Sequence, residues 1–253
     1  MEWSDVGYVL QAKKFGESSA LVSILTKNHG RCSGLVKRAF SKSKRGMIEP
    51  GCYLNVKWSA RLSGQLGQWQ LEQLSNSVAR LFDDRIGLLC IRSLADLCLR
   101  ALPEGESHEA LHTKFSLLMN AASNDILHEY ALFEVALLKD LGFRLVLDRC
   151  AATGEKDELI YISPKSGQSV SKAAGKPYES KLFPLPDFLK NGHLSPDIKQ
   201  IVQALTVTGY FLTKHVWPEQ KGWHAMPESR DRLFQHLTRQ LQSADDHKEK
   251  DAA

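Results

Sequence analysis

Apolar and polar positions alternate with a period of two in short runs through the first eighty residues, then recur at three-and-four spacing through most of the rest. Val6–Leu10 and Leu21–Leu25 are rich in β-branched and aromatic residues and are parted by a polar link at Gly16-Glu17-Ser18. Asn28-His29-Gly30 is a turn signal leading into Arg31–Val36. Cys52, Leu54, Val56 and Trp58 alternate with Tyr53, Asn55, Lys57 and Ser59, the pattern of a half-buried strand. Ser63-Gly64 turns the chain into a last strand, where Trp69 and Leu71 alternate with Gln68, Gln70 and Glu72. Five short strands in so short a stretch predict a small closed β-barrel, and the OB-fold is the commonest five-stranded solution.

Beyond about residue 77 the period is helical. Ile86, Leu89, Cys90, Leu94, Leu97 and Cys98 predict a helix ending before Pro103. Asp125 is placed to cap a helix through Leu141, with Gly142 suited to the left-handed position after it. Leu127, Tyr130, Phe133, Leu137, Leu138 and Leu141 would form its buried stripe. Ser195-Pro196 reads as a cap and first helical residue ahead of Ile198, Ile201, Val202 and Leu205, and Leu233, Phe234, Leu237 and Leu241 mark a final helix. Between these lies a segment of small polar residues, with an apolar run at Leu159–Ile162 and a turn at Pro164–Gly167. The expected organisation is α+β: an OB barrel over 1–78, a helical domain over 79–242 with a small loop-rich insert at 149–186, and a disordered charged tail over 243–253.

Composition adds little to this picture until charge is located. The chain is 43% hydrophobic and 25% charged, as folded domains are, and it has no apolar run long enough to span a bilayer. The opening MEWSD lacks the layout of a signal peptide, so a bacterial cytoplasmic location is expected. Cys32, Cys52, Cys90, Cys98 and Cys150 are odd in number and set among apolar neighbours, which favours buried thiols over disulfides. The net charge of +4 hides an asymmetry: residues 1–80 carry 12 Lys and Arg against five Asp and Glu, while the remainder is net negative. Such a basic first part is suited to meeting a polyanion.

The charge is sharpest at Lys37-Arg38-Ala39-Phe40-Ser41-Lys42-Ser43-Lys44-Arg45, five cations in nine residues with no acid among them. A loop of this kind can follow a phosphate backbone, releasing a counterion for each phosphate it neutralises. The candidate nucleic-acid-binding residues are therefore Lys37, Arg38, Lys42, Lys44 and Arg45, with Arg31, Lys57 and Arg61 widening the same face. Of the aromatic residues that could stack on bases, Trp58 and Trp69 are expected in the core and Phe40 exposed. The chain has no phosphate-binding glycine loop of the Walker type, no Gly-x-Ser-x-Gly elbow and no His-Glu-x-x-His. His108 and His112 share i,i+4 spacing with nothing nearby to complete a metal site, and are expected to face solvent. These residues leave three readings open: a DNA-binding factor, an adaptor for acidic peptides with incidental DNA contact, and an RNA-binding OB domain.

The series Gly7–Leu10, Gly16-Glu17-Ser18-Ser19, Leu25-Thr26, His29-Gly30-Arg31 and Gly34–Lys37 resembles the N-terminus of the RecO family of recombination mediators. Leu138–Phe143, Leu147–Gly154, Ser163–Ser171 and Tyr178–Pro186 fit the same family in the same order. The resemblance implies an OB domain, a helical domain and a zinc-finger-like insert in a non-enzymatic protein without a cofactor. It implies binding to single- and double-stranded DNA, annealing of complementary strands, and action with RecR to load RecA onto DNA coated by single-strand-binding protein, whose acidic C-terminal tail is also bound. Such a protein would work at the nucleoid. Lys139, Arg144 and Arg149, which flank apolar sequence, are the candidates for that tail. One departure concerns the insert, where many relatives carry two Cys-x-x-Cys pairs. Here Cys150 is followed by Thr153, and Ser171 and Ala174 fall at the other pair. One thiolate cannot hold structural zinc, so no metal is expected.

Overall fold

The computed structural model describes residues 1–62, 65–76, 78–81, 83–191, 196–217 and 225–251, with side chains described except at 191 and 245–251. The Ser63-Gly64 turn and the Ser195 cap expected from the sequence lie outside the described residues.

The period-two segments form five strands: β1 (Glu2–Phe15), β2 (Ser19–Thr26), β3 (Gly30–Val36), β4 (Tyr53–Ser59) and β5 (Gly67–Ser75). They close in the order β1-β2-β3-β5-β4, with β1 pairing β4 to complete the ring and β3 meeting β5 in parallel at Gly34–Gly67 and Leu35–Gln68. This is the OB-type barrel the alternation predicted. Closure leaves no long unpaired edge, which a five-stranded sheet would otherwise have to protect.

β1 is much longer than its apolar run because it has two partners. Glu2–Tyr8 pair with β4, while Gly7–Phe15 pair with β2 past an irregularity at Val9–Gln11. Its first residues hold Trp3 and Asp5, neither of which the alternation of Val6–Leu10 reached. Val9, Leu10, Val22, Ile24, Val36 and Leu54 are fully or almost fully buried. Gly30 follows the turn between β2 and β3 at φ +66°, a left-handed conformation costly for any residue with a Cβ.

Two helices pack with the barrel: α1 (Arg85–Ala101) and α2 (Glu109–Asn120). Asp84 caps α1 by accepting from the Gly87 N–H (2.8 Å). Cys90, Leu94, Leu97 and Cys98 are fully buried, the stripe the sequence marked. Tyr8 of β1 stacks on Phe115 of α2 (4.7 Å between centroids) and lies 5.3 Å from His112. The change of period near 78 marks the end of the barrel. The compact unit containing it nonetheless extends over Met1–Ile126, joined by Pro227–Arg230, because α1 and α2 bury their apolar stripes there. His112 corrects the expectation that the histidines face solvent: it is only 5% exposed, and burial holds its pKa below the usual 6.5.

The second unit contains α3 (Ile126–Asp140), from Leu127 onward, and a four-stranded sheet in the order β6-β8-β7-β9. Its strands are β6 (Val146–Cys150), β7 (Leu159–Ile162), β8 (Gln168–Ser171) and β9 (Phe183–Pro184), with the short helix α4 (Lys172–Gly175) after β8. Then come α5 (Asp187–Asn191), α6 (Ile198–His215) and α7 (Glu228–Asp251). α3 ends as predicted, with Gly142 at φ +88°. The N-cap of α6 is Asp197, whose side chain accepts from the Gln200 N–H (2.8 Å). α7 stays helical past Ser243, whose hydroxyl donates to the Arg239 carbonyl (3.0 Å). Glu134, fully buried on α3, accepts hydrogen bonds from the hydroxyls of Tyr130 (2.7 Å) and Thr208. Among the described residues no helix is long and apolar enough to cross a membrane.

Candidate nucleic-acid interface

The cationic run leaves β3 at Val36 and ends in a 3-10 turn over Arg45–Met47, so it forms the connection that crosses to β4. Small local hydrogen bonds shape it. Arg38 sits at φ +51°, the Ala39 N–H donates to Ser18 (2.8 Å), and Lys44 Nζ donates back to the Lys37 carbonyl (3.0 Å), which closes the loop on itself. Ala39 is buried and anchors the loop, while Lys37, Arg38, Lys42 and Arg45 are exposed and Lys44 is half-buried. Lys37, Arg38, Lys42, Lys44 and Arg45 have no carboxylate partner among the described residues. A polyanion would therefore meet them without first breaking an ion pair among the described residues.

The other three candidate cations on the barrel are placed differently. Arg31 is the second residue of β3, about 17 Å along the strand from Val36 at the usual rise per residue. Its Nε donates to the Leu102 carbonyl (2.8 Å) and its terminal nitrogen lies 3.9 Å from Glu104, so it fastens the barrel to the segment after α1. Lys57, near the end of β4, pairs with Glu2 at 2.5 Å, and Arg61 is exposed just past that strand. The pairing register brings the end of β4 back beside the end of β3, with Ser59 opposite Gln68 and Gln68 opposite Leu35, so Arg31 and Lys57 differ from the loop in their partners rather than in the end of the barrel they occupy. The structure thus gathers five of the eight candidate cations into one loop and gives Arg31 and Lys57 partners of their own elsewhere on the barrel.

Of the two tryptophans expected in the core, Trp69 is there and Trp58 is only half-buried. Trp69 is 4% exposed and its indole N–H donates to the Val22 carbonyl (3.0 Å). Trp58 is half-buried, donates to the Ser33 carbonyl (3.1 Å) and stacks on Trp3 (5.7 Å). Tyr53 stacks on Tyr8 (4.5 Å). Phe40, inside the basic loop, is 45% exposed. It forms part of the wall of a cleft of about 900 Å³ that also takes in Lys42, Arg45, Pro50, Leu88 and Arg92.

Trp3 continues the indole stack to His29 (3.9 Å, 9° between planes), and His29 Nδ1 meets Asp5 Oδ2 at 3.0 Å. Burial by itself raises the Asp5 carboxyl, but hydrogen bonds from the Asn28 N–H, His29, the Val6 N–H and the Asn28 side chain outweigh it and hold the pKa below 3.8. Asp5 thereby latches the β2–β3 turn to β1. Nothing in the local pattern near Glu2–Asp5 signals this role, because its partners come from residues 28 and 29.

Residues 1–77 match the family model described as Recombination protein O N terminal, and residues 83–224 that described as Recombination protein O C terminal. The chain belongs to the RecO family. Relatives named DNA repair protein RecO include one from Methylorubrum extorquens, 40% identical over 225 residues, which cover 86% of this chain and 91% of that one. The protein of Brucella abortus is 38% identical over 95% of this chain and 98% of its own. That of Sinorhizobium medicae is 36% identical over 96% and 98%.

The insert that the resemblance likens to a zinc finger has no thiolate set in this chain. Cys150 Sγ lies 3.5 Å from the Ser171 hydroxyl and accepts from the Ser171 N–H (3.3 Å). Burial raises its pKa, but hydrogen bonds from the Ser171 and Thr153 hydroxyls and the Ser171 and Ala152 amides outweigh this and bring it to about 6. Burial instead pushes Cys32 and Cys52 up to about 11. Thr153 and Ser171 offer hydroxyls and Ala174 offers no ligand, so these residues do not fit a tetrahedral thiolate zinc site. Among the described residues no group of three or more His, Cys, Asp or Glu is placed to hold a metal ion.

The three cations proposed for an acidic tail all lie in the second unit and are exposed. Lys139 is in the last turn of α3, Arg144 follows Gly142 by two residues, and Arg149 on β6 lies 3.4 Å from its neighbour Asp148. Beside Arg144 in sequence, Phe143 is 37% exposed and stacks on His215 (4.4 Å, 14°).

Proposed function

We propose that this chain is a non-enzymatic DNA-binding recombination mediator, acting in DNA repair at the nucleoid of a bacterial cytoplasm. The observation that carries the reading is the basic loop: Lys37, Arg38, Lys42, Lys44 and Arg45 on a rigid OB-type barrel, with no carboxylate partner among the described residues. The names of the RecO relatives, all DNA repair proteins, support the biological setting. A cationic surface that engages two complementary strands lowers their mutual repulsion, so annealing follows from the same charge that gives binding. The wider role, helping RecR load RecA onto DNA coated by single-strand-binding protein, rests on family membership. Lys139, Arg144 and Arg149 are the proposed contacts for that protein's acidic tail, with exposed Phe143 beside Arg144 as an apolar contact.

The test is annealing of complementary oligonucleotides over a salt series, with and without single-strand-binding protein. Replacing Lys42, Lys44 and Arg45 by Glu should slow annealing and weaken DNA binding at moderate salt, with an unchanged thermal melt. Unchanged affinity and salt dependence would remove the loop from the interface. Replacing Lys139, Arg144 and Arg149 by Glu should spare binding to bare DNA and reduce annealing of coated strands.

A further inference from the structure

The basic loop accounts for contact with phosphates, but not for the exposed ring at its centre. Phe40 lines the 900 Å³ cleft and also an adjoining one of about 460 Å³, and Arg45, Glu49, Pro50 and Arg92 line both as well. The larger cleft is floored by Val78, Leu88 and Ile91, of which Val78 and Ile91 are buried and Leu88 half-buried. Its rim is cationic: Lys42 and Arg45 come from the loop and Arg92 from α1, where the Arg92 Nε also pairs with Asp96 (3.4 Å). Asn76 and Glu49 supply hydrogen-bonding groups in the same wall. The larger cleft falls within the range of about 300–1,000 Å³ that holds small organic ligands, so a nucleoside fits.

We propose that the paired clefts receive unpaired bases of single-stranded DNA, with Phe40 as the ring on which they stack and Lys42, Arg45 and Arg92 holding the flanking phosphates. The proposal rests on the DNA-binding reading of the loop and adds to it a preference for single strands. In a duplex the base faces are covered by their neighbours, so the phosphates can reach the loop but no base can reach Phe40. An unpaired strand offers both. Base stacking on an aromatic ring is tolerant of sequence, as an annealing factor requires. A groove with apolar floor and cationic rim would also suit an acidic peptide. Here Glu49 lines both clefts, where its carboxylate can accept from the amino edge of a base, a donor that acidic side chains do not offer.

The inference is tested with full-length protein, Phe40→Ala and Phe40→Trp, measuring affinity for a single-stranded oligonucleotide and for a duplex of equal length across salt concentrations. Because Phe40 is half in solvent already, its truncation leaves the barrel core untouched. Phe40→Ala should weaken single-strand binding by about tenfold and leave duplex affinity and both salt slopes unchanged, while Phe40→Trp restores single-strand binding. A 2-aminopurine placed in the single strand should lose fluorescence on binding the wild type and much less on binding Phe40→Ala. If Phe40→Ala binds single strands like the wild type, or loses both substrates equally, the clefts are not base sites; the loop reading still stands if the Lys42, Lys44 and Arg45 reversal lowers affinity. If a Glu- and Asp-rich peptide ending in Phe displaces the single strand, and Phe40→Ala abolishes that competition, the clefts belong to a peptide and the proposal falls. Absence of DNA binding by the wild type would overturn both readings.

Discussion

Eight cations of the barrel are candidates for phosphate contact in sequence, but the structure leaves only some of them available, and this difference can be measured. Consider Lys42→Gln with Arg45→Gln, which removes two loop charges that have no carboxylate partner among the described residues. If each neutralises one phosphate, the dependence of log affinity on log salt should become shallower by about 1.4 for single strands and about 1.8 for duplex. Between 50 and 200 mM salt the variant should then lose about sevenfold less single-strand affinity than the wild type does. The matched control is Arg31→Gln with Lys57→Gln, the same formal charge change on the same barrel. Arg31 is bonded to the Leu102 carbonyl and lies near Glu104, and Lys57 is paired with Glu2. Losing them should leave the salt slope as it is and lower affinity, if at all, by one factor at every salt concentration. The assay is fluorescence anisotropy titration of labelled oligonucleotides at four or more salt concentrations, on variants whose circular dichroism matches the wild type. Equal flattening by the two pairs, or none by the loop pair, would refute the argument from paired and unpaired charge.

Three further predictions concern the frame that carries the loop. Asp5→Asn keeps the shape of the latch but puts an amide where donors from Val6, Asn28 and His29 converge, and should cost about 1–3 kcal/mol in urea unfolding at pH 7. The folded pKa of Asp5 lies below 3.8, so the stability it adds is complete above that value and is lost as pH falls through the folded pKa; the variant should show a flatter acid limb. Gly30→Ala places a Cβ at positive φ and against the Glu106 carbonyl, and should destabilise by at least about 1–2 kcal/mol, read as a lower melting temperature. His112→Phe removes a buried imidazole whose pKa is held below 6.5 by burial. The unfolded chain takes up that proton first, so wild-type stability should fall as pH drops below about 6.5, and the variant's melting temperature should change less between pH 7.5 and 5.5.

Much of this molecule was legible in one dimension because it depends on local periodicity. Alternation in Cys52–Ser59 and Gln68–Glu72 requires a strand with one buried face, and the i,i+4 stripe in α1 requires a helix with one buried side. Gly30 and Gly142 take the left-handed conformations their places in turn and cap demand. The cationic run between two such strands had to be a surface loop, since its charges could not be buried unpaired. What sequence could not supply were relations between distant residues. Barrel closure carries Trp3 to Trp58 and Asp5 to His29, and α1 brings Arg92, Leu88 and Ile91 to the side of Phe40. His112 went inside, polar though it is, because α2 packs that face on Tyr8. The eight candidate cations look equivalent along the chain, and only the fold decides which are paired: β1 carries Glu2 to Lys57, the segment after α1 carries Leu102 and Glu104 to Arg31, and the loop cations form no ion pair among the described residues. Charge content is a property of sequence, but free charge is a property of neighbours, and neighbours are chosen by tertiary packing.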